Sequence, residues 1–323
     1  MKDNNAQQAK LAQEVYTIAI DFLNEITATY KGWMGANSKL VVLGGLMINV
    51  DGPQRDVFEP LMFTAVAKDG TTDDLMAQAF NKKTPVSWTP SLPAPVFEKP
   101  VSMDSEWIKT MPRKQKRTVN AHFTSALPGS QIEELVFRQI SKLGITPENS
   151  VFAQSTCPDE LNHDDYNEDI TRLMRNRYGE VFPLGGLAGL PFTGKTGWGA
   201  FSHHVPKDGN IVVLYAPHVG ITADGVVGKV HRPGQKKATS ACGASVGAYN
   251  AINAAAGSRR LAATATDDRQ LNYIIEALKP HVDKVKASGD KNAIMAALAY
   301  ETYGLVEEML KDIIDRKWMD QNS

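Results

Sequence analysis

The chain has 323 residues, with 35 Lys and Arg against 36 Asp and Glu and a formal net charge of −1. That length can bury a sizeable core in one large domain, and the near-zero charge excludes the basic excess of a nucleic-acid-binding surface. Hydrophobic residues at 42% and charged residues at 22% exclude a disordered chain. The opening MKDNNAQQAK lacks the basic-then-apolar order of an export signal. No stretch gives 18 consecutive apolar residues; the best, Leu40 to Val50, is short and carries Gly44 and Gly45. The expectation is a cytoplasmic protein without a membrane span, or one of an organelle stroma if a transit segment is missing.

Residues 6 to 30 place Leu11, Val15, Ile18, Phe22 and Ile26 at helical spacing, which predicts an amphipathic helix ending before Gly32. Lys39 to Val50 is apolar and branched, a candidate buried strand. From Lys83 to Pro112 the chain carries Pro85, Pro90, Pro93, Pro95, Pro100 and Pro112 with Trp88 and Trp107. This irregular excursion is too apolar for a free linker and is expected to pack on the body or on a partner subunit. A helix is predicted over Ile132–Leu143, a strand over Ser150–Gln154 and a charged helix over Glu168–Tyr178. The strongest strand is Asn210–Ala216, ended by Pro217-His218-Val219-Gly220. Helices follow over Ala244–Ala256, Leu271–Val285 and Asn292–Trp318, the last amphipathic. Strands alternating with helices predict an α/β fold with a mostly parallel sheet. The chain reads as a single domain: an N-terminal helix over 1–35, an α/β core over about 36–265 and C-terminal helices over about 266–323.

One motif invites a nucleotide-binding reading. Gly189 to Thr196 satisfies G-x-x-x-x-G-K-[ST], and Lys195 would then reach phosphates. The segment before it, Val181 to Leu187, is a weak strand broken by Pro183, Gly185 and Gly186, and Gly197 and Gly199 make a poor helix start after it. A glycine-rich connection that allows close backbone packing is the preferred reading, with an NTPase as a remote alternative.

The two cysteines, Cys157 and Cys242, are 85 residues apart. Two buried thiols acting as small hydrophobes are the plain expectation, and a disulfide is favoured little without an export signal. Their contexts point further. Cys157 follows an apolar strand and Cys242 opens an Ala-rich helix, while His218 sits at the end of the best strand. Carboxyl ends of neighbouring strands lie side by side in an α/β sheet, so Cys157, His218 and Cys242 are able to converge on one metal ion. Thiolate and imidazole suit zinc, and catalytic zinc sites keep one position open. Asp159, two residues after Cys157, could either take a fourth coordination position or accept a hydrogen bond from metal-bound water.

Cys-Pro-Asp-Glu-Leu-Asn at 157–162, Gly-Gly-Leu-Ala-Gly-Leu-Pro-Phe-Thr-Gly-Lys-Thr-Gly at 185–197, Ala-Phe-Ser-His-His-Val-Pro at 200–206, Ala-Pro-His-Val-Gly-Ile at 216–221 and Ala-Cys-Gly-Ala at 241–244 resemble the limiting-CO2-inducible protein B/C family. Its members are also called theta-type carbonic anhydrases and are related in fold to the beta class. The resemblance implies zinc on Cys157, His218 and Cys242, and a beta-carbonic-anhydrase-like sheet flanked by helices with helical extensions at both ends. It also implies a homodimer, here expected as a homodimer or a dimer of dimers. The implied reaction is reversible hydration of CO2 to bicarbonate, with Asp159 as the catalytic carboxylate and the phosphate-loop match as a pocket-shaping motif. One departure matters: the beta class has Cys-x-Asp-x-Arg, and Leu161 stands at the Arg position. Arg172, Arg175, Arg177 and Arg232 are the candidates to replace it. Without such a partner Asp159 would close the site, leaving a non-catalytic zinc homologue that acts in CO2 responses by interaction. His203, His204 and His163 are candidate proton shuttles or plain packing and surface residues. His122, His231 and His281 carry no signal.

Overall fold

The computed structural model describes residues 38–52, 56–67, 71–80, 110–163, 168–256 and 268–314. The helix expected within 1–35, the Pro- and Trp-bearing segment up to residue 109, and the end of the last helix beyond residue 314 lie outside the described residues.

Among the described residues eight strands form one sheet: β1 (Lys39–Val50), β2 (Val57–Ala67), β3 (Thr72–Asp74), β4 (Leu127–Pro128), β5 (Ser150–Thr156), β6 (Phe182–Pro183), β7 (Asn210–Ala216) and β8 (His218–Ile221). The order is β3-β2-β1-β7-β5-β6. Pairs β1–β7, β5–β7, β5–β6 and β1–β8 are parallel, whereas β2 runs antiparallel to β1, β3 and β4. The sheet is therefore mixed and mostly parallel. A short ribbon, β9 (Lys229–Val230) with β10 (Thr239–Ser240), stands apart.

Among the described residues the helices are α1 (Met76–Phe80), α2 (Arg113–His122), α3 (Gly129–Lys142), α4 (Ile170–Tyr178), α5 (Gly194–Ser202), α6 (Gly243–Ala256), α7 (Arg269–Leu278), α8 (Val282–Lys286) and α9 (Lys291–Ile314). Alternate residues of each central strand point to opposite faces. Leu40, Val42, Ile211, Val213 and Tyr215 join one core cluster with residues of α2 and α5 to α9. Val41, Leu43, Val212 and Leu214 join another with α1, α3 and α4. A sheet covered on both faces needs strands that are apolar throughout, which is why KLVVLGGLMINV and NIVVLYA were legible as strands. The helix α9 is buried along most of its described length rather than on one stripe. It is tied to β7 where the Tyr215 and Tyr303 hydroxyls meet at 2.6 Å.

Three local readings change. The strand β2 was not read from the sequence; its Pro60, a residue that argues against a strand, sits opposite Gly45 at the register shift between Gly44 and Gly45, a position where a ladder tolerates proline. The helix expected over Leu271–Val285 is broken at Pro280, where a 3-10 turn (Lys279–His281) separates α7 from α8. A helix does follow the phosphate-loop match, Gly194–Ser202, despite its glycines, but the strand before it is only the two residues of β6. Among the described residues no helix is long and apolar enough to cross a membrane.

Candidate metal centre

The end of β5 lies level with the end of β7, Thr156 pairing with Ala216. The next residue on one side is Cys157. On the other, Pro217 interrupts the ladder and His218 opens β8, opposite Met47 of β1. The β9–β10 ribbon brings Cys242 to the same place, just ahead of α6, and the Gly220 N–H to Ala241 carbonyl bond (3.0 Å) ties that segment to β8. All three side chains are buried, the two sulfurs are 3.8 Å apart, and the candidate ligand atoms lie within 4.8 Å of one another.

Glycines make this convergence sterically feasible. A Cβ at Gly185 would stand 2.3 Å from the Thr156 carbonyl oxygen. Gly189, at φ +80, passes the Ala216 carbonyl, and its own carbonyl accepts the Ser155 hydroxyl at 2.8 Å. The segment that leads into the phosphate-loop match thus wedges its backbone against the strand ends that precede Cys157 and His218.

The donor set fits a metal ion. Both cysteines are free thiols, and His218 Nε2 is buried with no hydrogen-bond partner, while Nδ1 is held by Asn49 Oδ1 at 2.8 Å. Two sulfurs and one imidazole nitrogen are a zinc-type set. The two sulfurs lie within hydrogen-bond reach of each other, and either is able to donate. The hydrogen bond to Cys242 and burial push the Cys157 thiol up, and the bond from Cys157 holds Cys242 well below its ordinary value, with His218 adding to this against burial. Burial works to lower His218, but Cys242 and Asp159 outweigh it and the net shift is upward. A divalent cation would displace the thiol protons.

Asp159 stands beside this group, its Oδ2 3.8 Å from His218 Nε2. Burial raises its carboxyl above the usual range, opposed by His218, the Leu161 N–H and Arg232. Arg232 meets both carboxylate oxygens through one nitrogen, at 3.1 and 3.0 Å. The same guanidinium contacts Glu160 Oε1 (2.5 Å), Thr239 Oγ1 (2.7 Å) and the Ser240 carbonyl (3.0 Å). Of the four arginines open from the sequence, Arg232 therefore partners Asp159; Arg172, Arg175 and Arg177 lie on α4, where Arg177 pairs with Glu133.

The structure gathers Cys157, His218, Cys242 and Asp159. It leaves the histidine candidates elsewhere: His204 packs edge-on against Phe182, His203 ends α5, and His163 is exposed beyond a 3-10 turn. Sequence reading passed over Asn49. Its signal was available, since a polar side chain inside the apolar run LGGLMINV requires a buried partner.

A family model described as limiting CO2-inducible proteins B/C beta carbonic anhydrases matches residues 126–323. The crystal structure of PtLCIB4, described as a homolog of the limiting CO2-inducible protein LCIB, is similar at 30% identity and TM-score 0.55, over 62% of this chain and 78% of that one. A histidine-to-alanine variant of PtLCIB4 matches at 28% identity and TM-score 0.56, over 63% and 79%. Among curated proteins no sequence matches. The matched span contains Cys157, Asp159, His218, Arg232 and Cys242, and this chain belongs to the limiting CO2-inducible protein B/C family of beta carbonic anhydrases.

Proposed function

We propose that this protein is a zinc carbonic anhydrase interconverting CO2 and bicarbonate, with Cys157, His218 and Cys242 holding the metal and Asp159 as the catalytic carboxylate. The observation that carries this reading is the grip of Arg232 on Asp159. A carboxylate engaged by a guanidinium is drawn away from coordination, which leaves three protein ligands and one open position, the pattern of catalytic zinc. Zinc supplies Lewis acidity that brings the pKa of water from about 15.7 to about 7, so that a nucleophile for CO2 exists at neutral pH. Asp159, as an anion, only accepts hydrogen bonds and so orients a donor beside it. Burial of the cysteines and the histidine keeps the ligand side chains themselves away from bulk water. The same proposal includes a homodimer or a dimer of dimers, which sedimentation at micromolar concentration reads directly.

Stopped-flow CO2 hydration on zinc-loaded protein tests the reading. Asp159→Asn is expected to lose about 10- to 100-fold in rate while keeping its zinc, the scale of an outer-shell partner. An amide there is able to turn its N–H2 towards the reacting water. Loss of zinc in this variant would instead make Asp159 a fourth ligand and the site a closed one.

A further inference from the structure

Asn49 is fully buried on β1 and outside the residues matched by the family model. One end of its amide faces three groups: Asp56 Oδ1 at 3.0 Å, the Leu161 carbonyl at 3.4 Å and Asn162 Oδ1 at 3.4 Å. The other end lies 2.8 Å from His218 Nδ1. Asn162, also fully buried, has its second amide end 3.1 Å from the Cys157 carbonyl.

The polarity of this chain of contacts is forced from its fixed ends. The backbone carbonyl of Cys157 only accepts, so the Asn162 group against it is the N–H2, and its oxygen faces Asn49. The Asn49 group that meets that oxygen, a carbonyl and a carboxylate must then also be the N–H2. Its remaining atom, the oxygen, faces His218 Nδ1, and that nitrogen must donate. A neutral imidazole has one proton, so Nε2 is left with its lone pair, and Nε2 is the buried atom without a hydrogen-bond partner beside the two sulfurs. Asp56, at the far end, is 2% exposed and sits at φ +89, a backbone conformation that costs a non-glycine residue energy.

We infer that Asn49 and Asn162 form an amide relay that fixes His218 as an Nε2 ligand by transmitting the polarity of the Cys157 carbonyl to the His218 ring. Both are positioning residues, and the relay couples two ligand-bearing segments that meet only in the fold. The metal-affinity consequence rests on the zinc reading above; the proton position does not.

The test is 15N NMR of the neutral His218 ring in metal-free protein, with zinc affinity measured separately against a chromophoric chelator. In the wild type the neutral ring is expected to have its proton on Nδ1 and none on Nε2. Asn49→Leu, of similar volume but unable to accept, is expected to spread the neutral proton over both nitrogens and to weaken zinc binding about 10- to 100-fold. Asn49→Gln, which retains both an accepting and a donating amide end, is expected to keep the neutral proton on Nδ1. A wild-type ring whose neutral form has its proton on Nε2 overturns the relay whether or not the variants fold. So does an Asn49→Leu protein with unchanged proton position and zinc affinity. A wild type that keeps the proton on Nδ1 but binds no zinc supports the relay and refutes the zinc reading instead.

Discussion

Arg232 reaches Asp159 across 73 residues of sequence and meets both of its carboxylate oxygens, at 3.1 and 3.0 Å. The guanidinium is itself anchored, by Thr239 and the Ser240 carbonyl on β10 and by Glu160 beside the site. Its fork of donors lets one side chain serve all of these acceptors at once, which a lysine ammonium cannot do with the same geometry. Asp159 thus has an arginine partner although Leu161 stands at the position where one was expected in sequence.

Arg232→Met should release Asp159 towards the metal position. CO2 hydration is expected to fall about 10- to 100-fold with zinc content retained, and Arg232→Lys should recover only part of the loss because it keeps charge without the fork. Stopped-flow rates with metal analysis on the same samples check this. A full-rate Arg232→Met protein would remove the arginine from the chemistry.

Cys157→Ser, His218→Ala and Cys242→Ser should each lower zinc occupancy sharply, since each removes one of three donors whose ligand atoms lie within 4.8 Å of one another. Elemental analysis after dialysis against a weak chelator is the measurement. Any variant that stays fully loaded is not missing a ligand.

Gly185→Ala should destabilise the strand end that presents Cys157. The added carbon would lie 2.3 Å from the Thr156 carbonyl oxygen, a backbone atom that cannot rotate away. Overpacking of this kind costs about 1–3 kcal/mol, so a lower Tm and weaker zinc binding are expected together. Thermal melts with and without zinc would show an unaffected protein if the close approach were unimportant.

His281 Nδ1 and Lys284 Nζ each lie 2.7 Å from the carboxylate of Glu301, which is 8% exposed. The bond to Glu301 raises His281 above its usual 6.5 despite burial. Burial raises Glu301, but His281 and Lys284 outweigh it and hold it below its usual 4.5. The histidine contribution to stability is therefore complete below pH 6.5 and lost as pH rises through its raised value. The glutamate contribution is complete above pH 4.5 and lost as pH falls through its lowered value. Between these limits His281→Gln should lower stability by about 1 kcal/mol, allowing for the partial exposure of the ring. That corresponds to a Tm lower by about 2 °C, and the difference should vanish at a pH well above the histidine titration. A pH-independent difference would mean that packing, not charge, holds the ring.

By itself the sequence determined the central strands, because a strand covered on both faces must be apolar throughout, as in KLVVLGGLMINV and NIVVLYA. It also determined the candidate ligand set, because two cysteines and a histidine at strand ends are chemically conspicuous. Only the tertiary structure decided which arginine meets Asp159, since Arg172, Arg175, Arg177 and Arg232 differ in nothing local that marks a partner. It likewise decided that Asn49 faces His218 and that Gly185 approaches Thr156. Such contacts depend on where the β9–β10 ribbon, the turn after β5 and the glycine segment pack. That packing follows from burial of the whole core on the sheet, a property of the chain taken together and not of any window within it.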